Sequence, residues 1–265
     1  MKTNTGFEAW RKDYRYWQAD KSSPRVIKRS SGLEDVSKDY PFVRNDRAPF
    51  VPARRALPML NLALISSAGA YIDGTEPFAA DSTGGDATFR EIPIEIEAED
   101  LRFTARGYDP QAVLEDLNSQ IPLQRLFEFE GNGIIGQFNP VFWSFCGFIP
   151  DANLVVNELA PRLVERVTRY EAQAALLIPA SRLCHQSMSL AAHALEGAGI
   201  PTMLLAVDRE VVESVHPPRA GLYDGKFGSV AGLPKWPEHQ RRVLDEALRL
   251  IETADQVGIR RLVVN

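Results

Sequence analysis

The sequence predicts an α/β chain built on a mainly parallel sheet with helices on both faces, preceded by an extended N-terminal arm. Three observations predict it. First, two short apolar runs without alternation, LNLALIS at 60–66 and AALLIP at 174–179, have the composition of strands buried on both faces. Second, AALLIP, then MSLAAHALEGAG at 188–199, then IPTMLLAV at 200–207 make strand, glycine-closed helix and strand within about 35 residues, a βαβ unit. Third, prolines crowd residues 21–58 in SSP, DYP, RAP, FVP and LP, a density that breaks both helix and ladder.

Taken in order, residues 1–20 place Phe7, Trp10, Tyr14 and Trp17 at helical spacing, so a short amphipathic helix is expected there. Residues 1–58 then read as that helix plus the proline-rich arm, and 59–265 as the α/β body. After the strand at 60–66 come the small-residue loop SAGAYIDG and a long polar loop at 79–90. IPIEIE at 92–97 alternates like a half-exposed strand. Helices are expected at 110–119 and 122–130 and a short strand at 133–138. A longer helix is expected at 151–170, with Asp151 as its N-cap. DREVVESV at 208–215 reads as a helix, 217–237 as loop, 238–255 as a long helix and RRLVVN as a last edge strand. The loops after 60–66 and 174–179 share one plan. The body therefore admits two similar flavodoxin-like lobes, 59–150 and 151–265, with a cleft between them.

Composition limits the function. At 265 residues and 45% hydrophobic, the chain is large enough for a full core. No apolar run reaches the roughly 20 residues of a membrane span, and the N-terminal stretch lacks the apolar segment of a signal peptide, so a cytoplasmic protein is expected. Two cysteines exclude a disulfide framework and a cysteine-only zinc site. Residues 1–60 carry 13 Lys/Arg against 7 Asp/Glu, and the remainder 17 against 28. Such an arm could bind nucleic acid, but its positive charges are scattered among acids. The plainer expectation is that it wraps the acidic body of its own chain or of a second copy, as in a homo-oligomer.

In open α/β sheets, ligands bind at the carboxyl ends of the strands. Cys184 lies just past such an end, at or near a helix N-terminus, where unsatisfied amides and the helix dipole lower a thiol pKa. His185 is adjacent and could tune it, although a buried, inert cysteine is the commoner fate of a free thiol. Cys146, within VFWSFCGFIPD, reads mainly as packing. Cys146, Cys184 and His185 could hold a soft metal with one more ligand, but their spacing carries no metal signature. His193 reads as packed, and His216 and His239 as solvent-facing. The loop Ser66, Ser67, Ala68, Gly69, Ala70 could cradle an anion with its amides, or simply be a tight turn. No GxGxxG or Walker pattern is present, so no nucleotide is implied. Asp73, Glu76 and Asp81 follow; one of them could act as a base or bind an amine. Arg90 has the planar fork to hold a carboxylate.

The ordered segments YPFVRNDRAPF (40–50), LALISSAGAYIDGTEPF (62–78), FREIP (89–93), FIPD (148–151), ALLIPASRLCHQS (175–187) and GIPT (199–202) resemble the selenoprotein B family of the glycine, sarcosine, betaine and D-proline reductases. The likeness runs from about residue 40 to about 250. It is nearest to shorter, non-selenium relatives whose thiol segment ends in Cys-His-Gln. The resemblance implies reductive C–N cleavage of a small amine or amino-acid derivative, with a separate pyruvoyl-bearing partner holding the substrate amine. The family's selenocysteine-x-x-Cys-x-x-Cys pattern falls on Ser181, Cys184 and Ser187, so only the middle position keeps sulfur. The resemblance therefore implies Cys184, His185, Ser181 and Ser187 as catalytic residues. Ser66, Ser67, Gly69, Glu76 and Arg90 are expected to bind substrate. No cofactor is expected within the chain, and a pyruvoyl-bearing or thioredoxin-like protein is the expected partner. The rival expectation is a non-catalytic ligand-binding or scaffold subunit, since two of three chalcogen positions are serine.

Overall fold

A computed structural model of the protein describes residues 40–79 and 84–264. The expected N-terminal helix, the arm before Tyr40, and Asp81 lie outside the described residues.

One sheet organises the chain. Its strands are β1 (Asn61–Ser66), β3 (Arg90–Pro93), β5 (Gln137–Phe138), β6 (Val141–Ser144), β7 (Ala174–Ile178), β8 (Thr202–Ala206), β9 (Arg219–Leu222) and β10 (Gly258–Arg261). They lie in the order β10-β9-β8-β7-β1-β6-β3, with β5 beside the start of β1. Every pairing is parallel except that of β3 with β6. A small antiparallel pair, β2 (Ala70–Ile72) with β4 (Leu101–Phe103), stands apart from it.

The central strands are apolar at their centres because both faces are covered. Along β1, Ala63 and Ile65 enter one core with Leu163, Val167, Leu190 and Val211. Leu62 and Leu64 enter the other with Leu126, Phe129, Val243 and Leu248. That is the twofold alternation of a strand, with both sides buried. The helices over these faces are α1 (Gln111–Glu115), α2 (Leu123–Gly131), α3 (Ala160–Arg169), α4 (Arg182–Gly197), α5 (Arg209–Val215) and α6 (Pro237–Thr253). Side chains cap two of their starts. Ser181 accepts from the Cys184 amide and Asp208 from the Val211 amide.

The expected mainly parallel α/β sheet is present, with differences in detail. The stretches 59–150 and 151–265 share one sheet, since β1 and β7 are neighbours from Leu62↔Ala174 to Ser66↔Ile178. The helix at 151–170 begins as expected, with Asp151 accepting from the Asn153 amide, but it widens into a π turn over Val155–Leu159. Pro161 follows, and its missing N–H removes one regular helical bond. The helix at 110–119 shortens to α1, because Asp116 takes an extended conformation and caps a 3-10 turn at Leu117–Ser119. The strand expected at 92–97 ends at Pro93, which has no N–H to continue the ladder. The loop expected at 217–237 contains β9.

The described part of the arm, from Tyr40, lies on the body. Tyr40 donates to Pro150 O, and the Val43 amide to Gln186 Oε1 at 2.8 Å. Farther along, a buried ion pair between Glu196 and Arg219 grips Val51 by both its N–H and its C=O, while Phe50 lies 4.2 Å under the guanidinium. Among the described residues, no helix is long and apolar enough to cross a membrane.

Candidate active site

Chain order reverses at β1. Its onward connection leads towards β6 and β3, whereas that of β7 leads to β8, so β1 and β7 form the topological switch point. The loops leaving these two strands meet there. The Ser67 amide donates to Ile178 O at 3.2 Å, and Ser67 Oγ accepts from the Ala180 amide at 3.0 Å. The segment after β6 joins them: the Gly147 amide donates to Ser67 O, and that of Gly69 to Phe145 O. Gly69 has φ 70°, and a Cβ on it would come within 2.5 Å of Thr104 O, so the close approach requires glycine.

Cys184 occupies the centre of this junction, in the first turn of α4. Its Sγ accepts a hydrogen bond from Ser181 Oγ at 3.0 Å and donates to Ser67 O at 3.7 Å. Ser181 therefore serves both as helix cap and as sulfur ligand. Gly147 packs on the thiol so closely that a Cβ there would lie 2.9 Å from Sγ. Ser187 lies one turn on and donates to Gly147 O at 2.8 Å. Cys184 is 1% exposed, Ser181 1%, Ser67 2% and Cys146 4%, so the junction is sealed.

This sealing reverses the expected electrostatics. Burial pushes the Cys184 thiol above its ordinary range, outweighing the hydrogen bonds of the Ser181 and Ser67 side chains and of the Ala180 and Ser181 backbone that favour the thiolate. Cys146 is pushed up to about 12, chiefly by burial, and its S–H points to Thr104 O at 3.6 Å. Both thiols are free and rest protonated.

His185 does not face Cys184. Its Nδ1–H donates to Ser181 O at 2.7 Å, and its Nε2 accepts from the Val207 amide at 3.1 Å. Burial lowers its pKa to about 4, so it is neutral, with the tautomer set by those two backbone partners. With both ring nitrogens engaged, it has none to offer a metal. Among the described residues no group of three His, Cys, Asp or Glu could hold one.

Arg90 and Glu76 sit together, away from the sulfur. Arg90 donates to Glu76 O at 3.1 Å and stacks on Phe78 at 4.3 Å. Its strand lies two places from β1, about 10 Å by ordinary strand spacing. It lines an open depression of about 430 Å³ at the sheet margin, with Glu91 and Arg166. Three residues at the junction were not singled out in the sequence. Gly147 is one. Gly107, φ 73°, approaches Ser181 so that a Cβ would lie 3.1 Å from its Oγ. Tyr108 donates to Ala68 O at 2.7 Å, and its phenol is raised well above the ordinary range by burial and by the two nearby thiols. The Arg-Gly-Tyr-Asp-Pro run at 106–110 has turn chemistry, the one signal that could have marked it.

Two curated proteins are similar to this chain. The D-proline reductase subunit gamma of Acetoanaerobium sticklandii is 27% identical over 79% of this chain and 85% of that protein. The glycine reductase complex component B subunit gamma of Symbiobacterium thermophilum is 24% identical over 70% of this chain. The match covers 44% of that second protein, so the chain spans less than half its length. No family model and no solved structure matches. The resemblance to the selenoprotein B family, read from the ordered segments, is borne out by these two relatives.

Proposed function

We propose that the chain is a subunit of a multi-component reductase acting on a small amine or amino-acid derivative, with Cys184 as its working thiol. One observation carries this reading. The single sulfur retained from the family's three chalcogen positions stands at the switch point of the sheet, in the first turn of a 16-residue helix, with Ser181 and Ser67 on it. The two relatives, both named as reductase subunits, support it.

The resting thiol is neutral, so it needs a reason to ionise. A protonated amine brought beside the sulfur supplies one, because an adjacent positive charge in a buried site favours the thiolate. Ser181 then hydrogen-bonds the anion. Attack at the α-carbon forms an S–C bond as the C–N bond breaks, and the amine leaves with a proton. A thiolate of a thioredoxin-like partner attacks Cys184 sulfur, forming S–S while the S–C pair takes a proton as C–H. The partner's second thiol then reduces the mixed disulfide. In this reading the chain carries no cofactor of its own. The family's pyruvoyl group belongs to a partner subunit. The chain works in the cytoplasm as a homo-oligomer within that assembly. The test is Cys184→Ala in the reconstituted complex with unchanged melting temperature. Turnover falls to background if the reading is right, and full turnover overturns it.

The burial of Cys184 favours a second reading, a ligand-binding or scaffold subunit whose thiol is packing. In that case Cys184→Ala leaves turnover intact, and Cys184 alkylates only on global unfolding.

A further inference from the structure

We propose that Thr104–Asp109 is a hinged strap that closes over Cys184 and lifts to admit reactants. This deepens the reading above and rests on Cys184 being the reactive site.

The first ground is closure. Cys184, Ser67 and Ser181 are sealed, so chemistry at the sulfur requires something to move. The second is what covers them. The strap residues 104–108 are half-buried, with one side towards solvent and the other on the junction. Gly107 backs onto Ser181 Oγ, Thr104 O receives the Cys146 thiol, and the Tyr108 hydroxyl bonds Ala68 O.

The third ground is the way the strap is held. It leaves β4, whose pairing is with β2 and not with the central sheet, so lifting it breaks no strand of that sheet. The Thr104 amide ties its near end to Gly69 O at 2.8 Å. At its far end, Asp109 O approaches Gly228 so closely that a Cβ there would lie 2.5 Å away. Between the two ends, the Tyr108 hydroxyl is the latch. Gly107, at φ 73°, is free to change conformation where other residues are not. The arrangement couples reactivity to access: beneath the closed strap the thiol stays protonated, and an opened strap returns it to water or to a bound cation.

The test uses the full chain and iodoacetamide, with mass-spectrometric readout at Cys184. Tyr108→Phe keeps the ring and removes the latch. Loss of one hydrogen bond raises the alkylation rate of Cys184 by about five- to tenfold. In the unsubstituted protein, the Thr104 amide exchanges its hydrogen faster than the amides of Leu64 and Leu176 in the central strands. An unchanged alkylation rate in Tyr108→Phe overturns the proposal. So does exchange of Thr104 in one step with the central strands, a comparison that needs no variant to fold. Turnover is not read here, so the catalytic role of Cys184 is judged separately by Cys184→Ala.

Discussion

The Cys184 junction leaves no room for even a methyl group. At Gly147 a Cβ would stand 2.4 Å from Ser67 Cβ and 2.9 Å from Cys184 Sγ, and both neighbours are held by backbone bonds. Gly147→Ala should therefore lower stability by about 1–3 kcal/mol, the range for overpacking a filled site. Urea unfolding at neutral pH measures it. The same residues show what could be read in advance. Cys184 was legible because a thiol just past a buried strand falls at or near a helix start, whereas Ser181 entered only through the family pattern and its role as helix cap was not read. Gly147 and Tyr108 were not legible, because only the folded sheet brings their loops to the sulfur. The expected tuning by His185 failed for a local reason. Adjacent residues on a helix point about 100° apart, so sequence neighbours there do not face each other.

At the level of elements, α4 does two jobs. Its first turn carries Cys184, while Gln186 and Glu196, about 15 Å apart along its axis, hold the arm at Val43 and Val51. The Glu196–Arg219 pair is buried, and each charge is there because the other is. Burial pushes the Glu196 carboxyl up, against the opposing pull of the Arg219 charge. Glu196→Ala leaves Arg219 buried without its counter-ion and the Val51 and Thr202 amides without acceptors. Loss of one partner of a buried pair costs about 3–5 kcal/mol. Thermal unfolding should show it, with earlier proteolysis in residues 40–56. This pair also explains why β9 escaped the sequence. Its first residue is an arginine, which reads as loop until its buried partner, 23 residues earlier, is known. The strands β1, β7 and β8 were legible for the opposite reason: being covered on both faces, they carry unbroken apolar runs at their centres.

For the molecule as a whole, the buried neutral His185 sets a dependence on acidity. Its folded pKa, about 4, lies below the ordinary value of 6.5. Above pH 6.5 both folded and unfolded forms are neutral, and stability is full. Between about 6.5 and about 4 the unfolded chain takes up a proton that the folded chain refuses, so stability falls as pH falls. The slope approaches about 1.4 kcal/mol per pH unit, for roughly 3 kcal/mol across the window. His185→Asn, which cannot titrate, should flatten this part of the profile. Urea melts of both proteins at pH 7, 5.5 and 4.5 provide the comparison.

The two outer strands of the sheet have a consequence for crowded solutions. β10 presents the exposed Arg260, so a second copy docking its own β10 alongside would set like charges against each other. On the opposite margin, Pro93 offers no N–H to an incoming strand. Among the described residues neither margin is a template for like-with-like growth, a protection against fibrillar polymerisation that lies in the sheet itself.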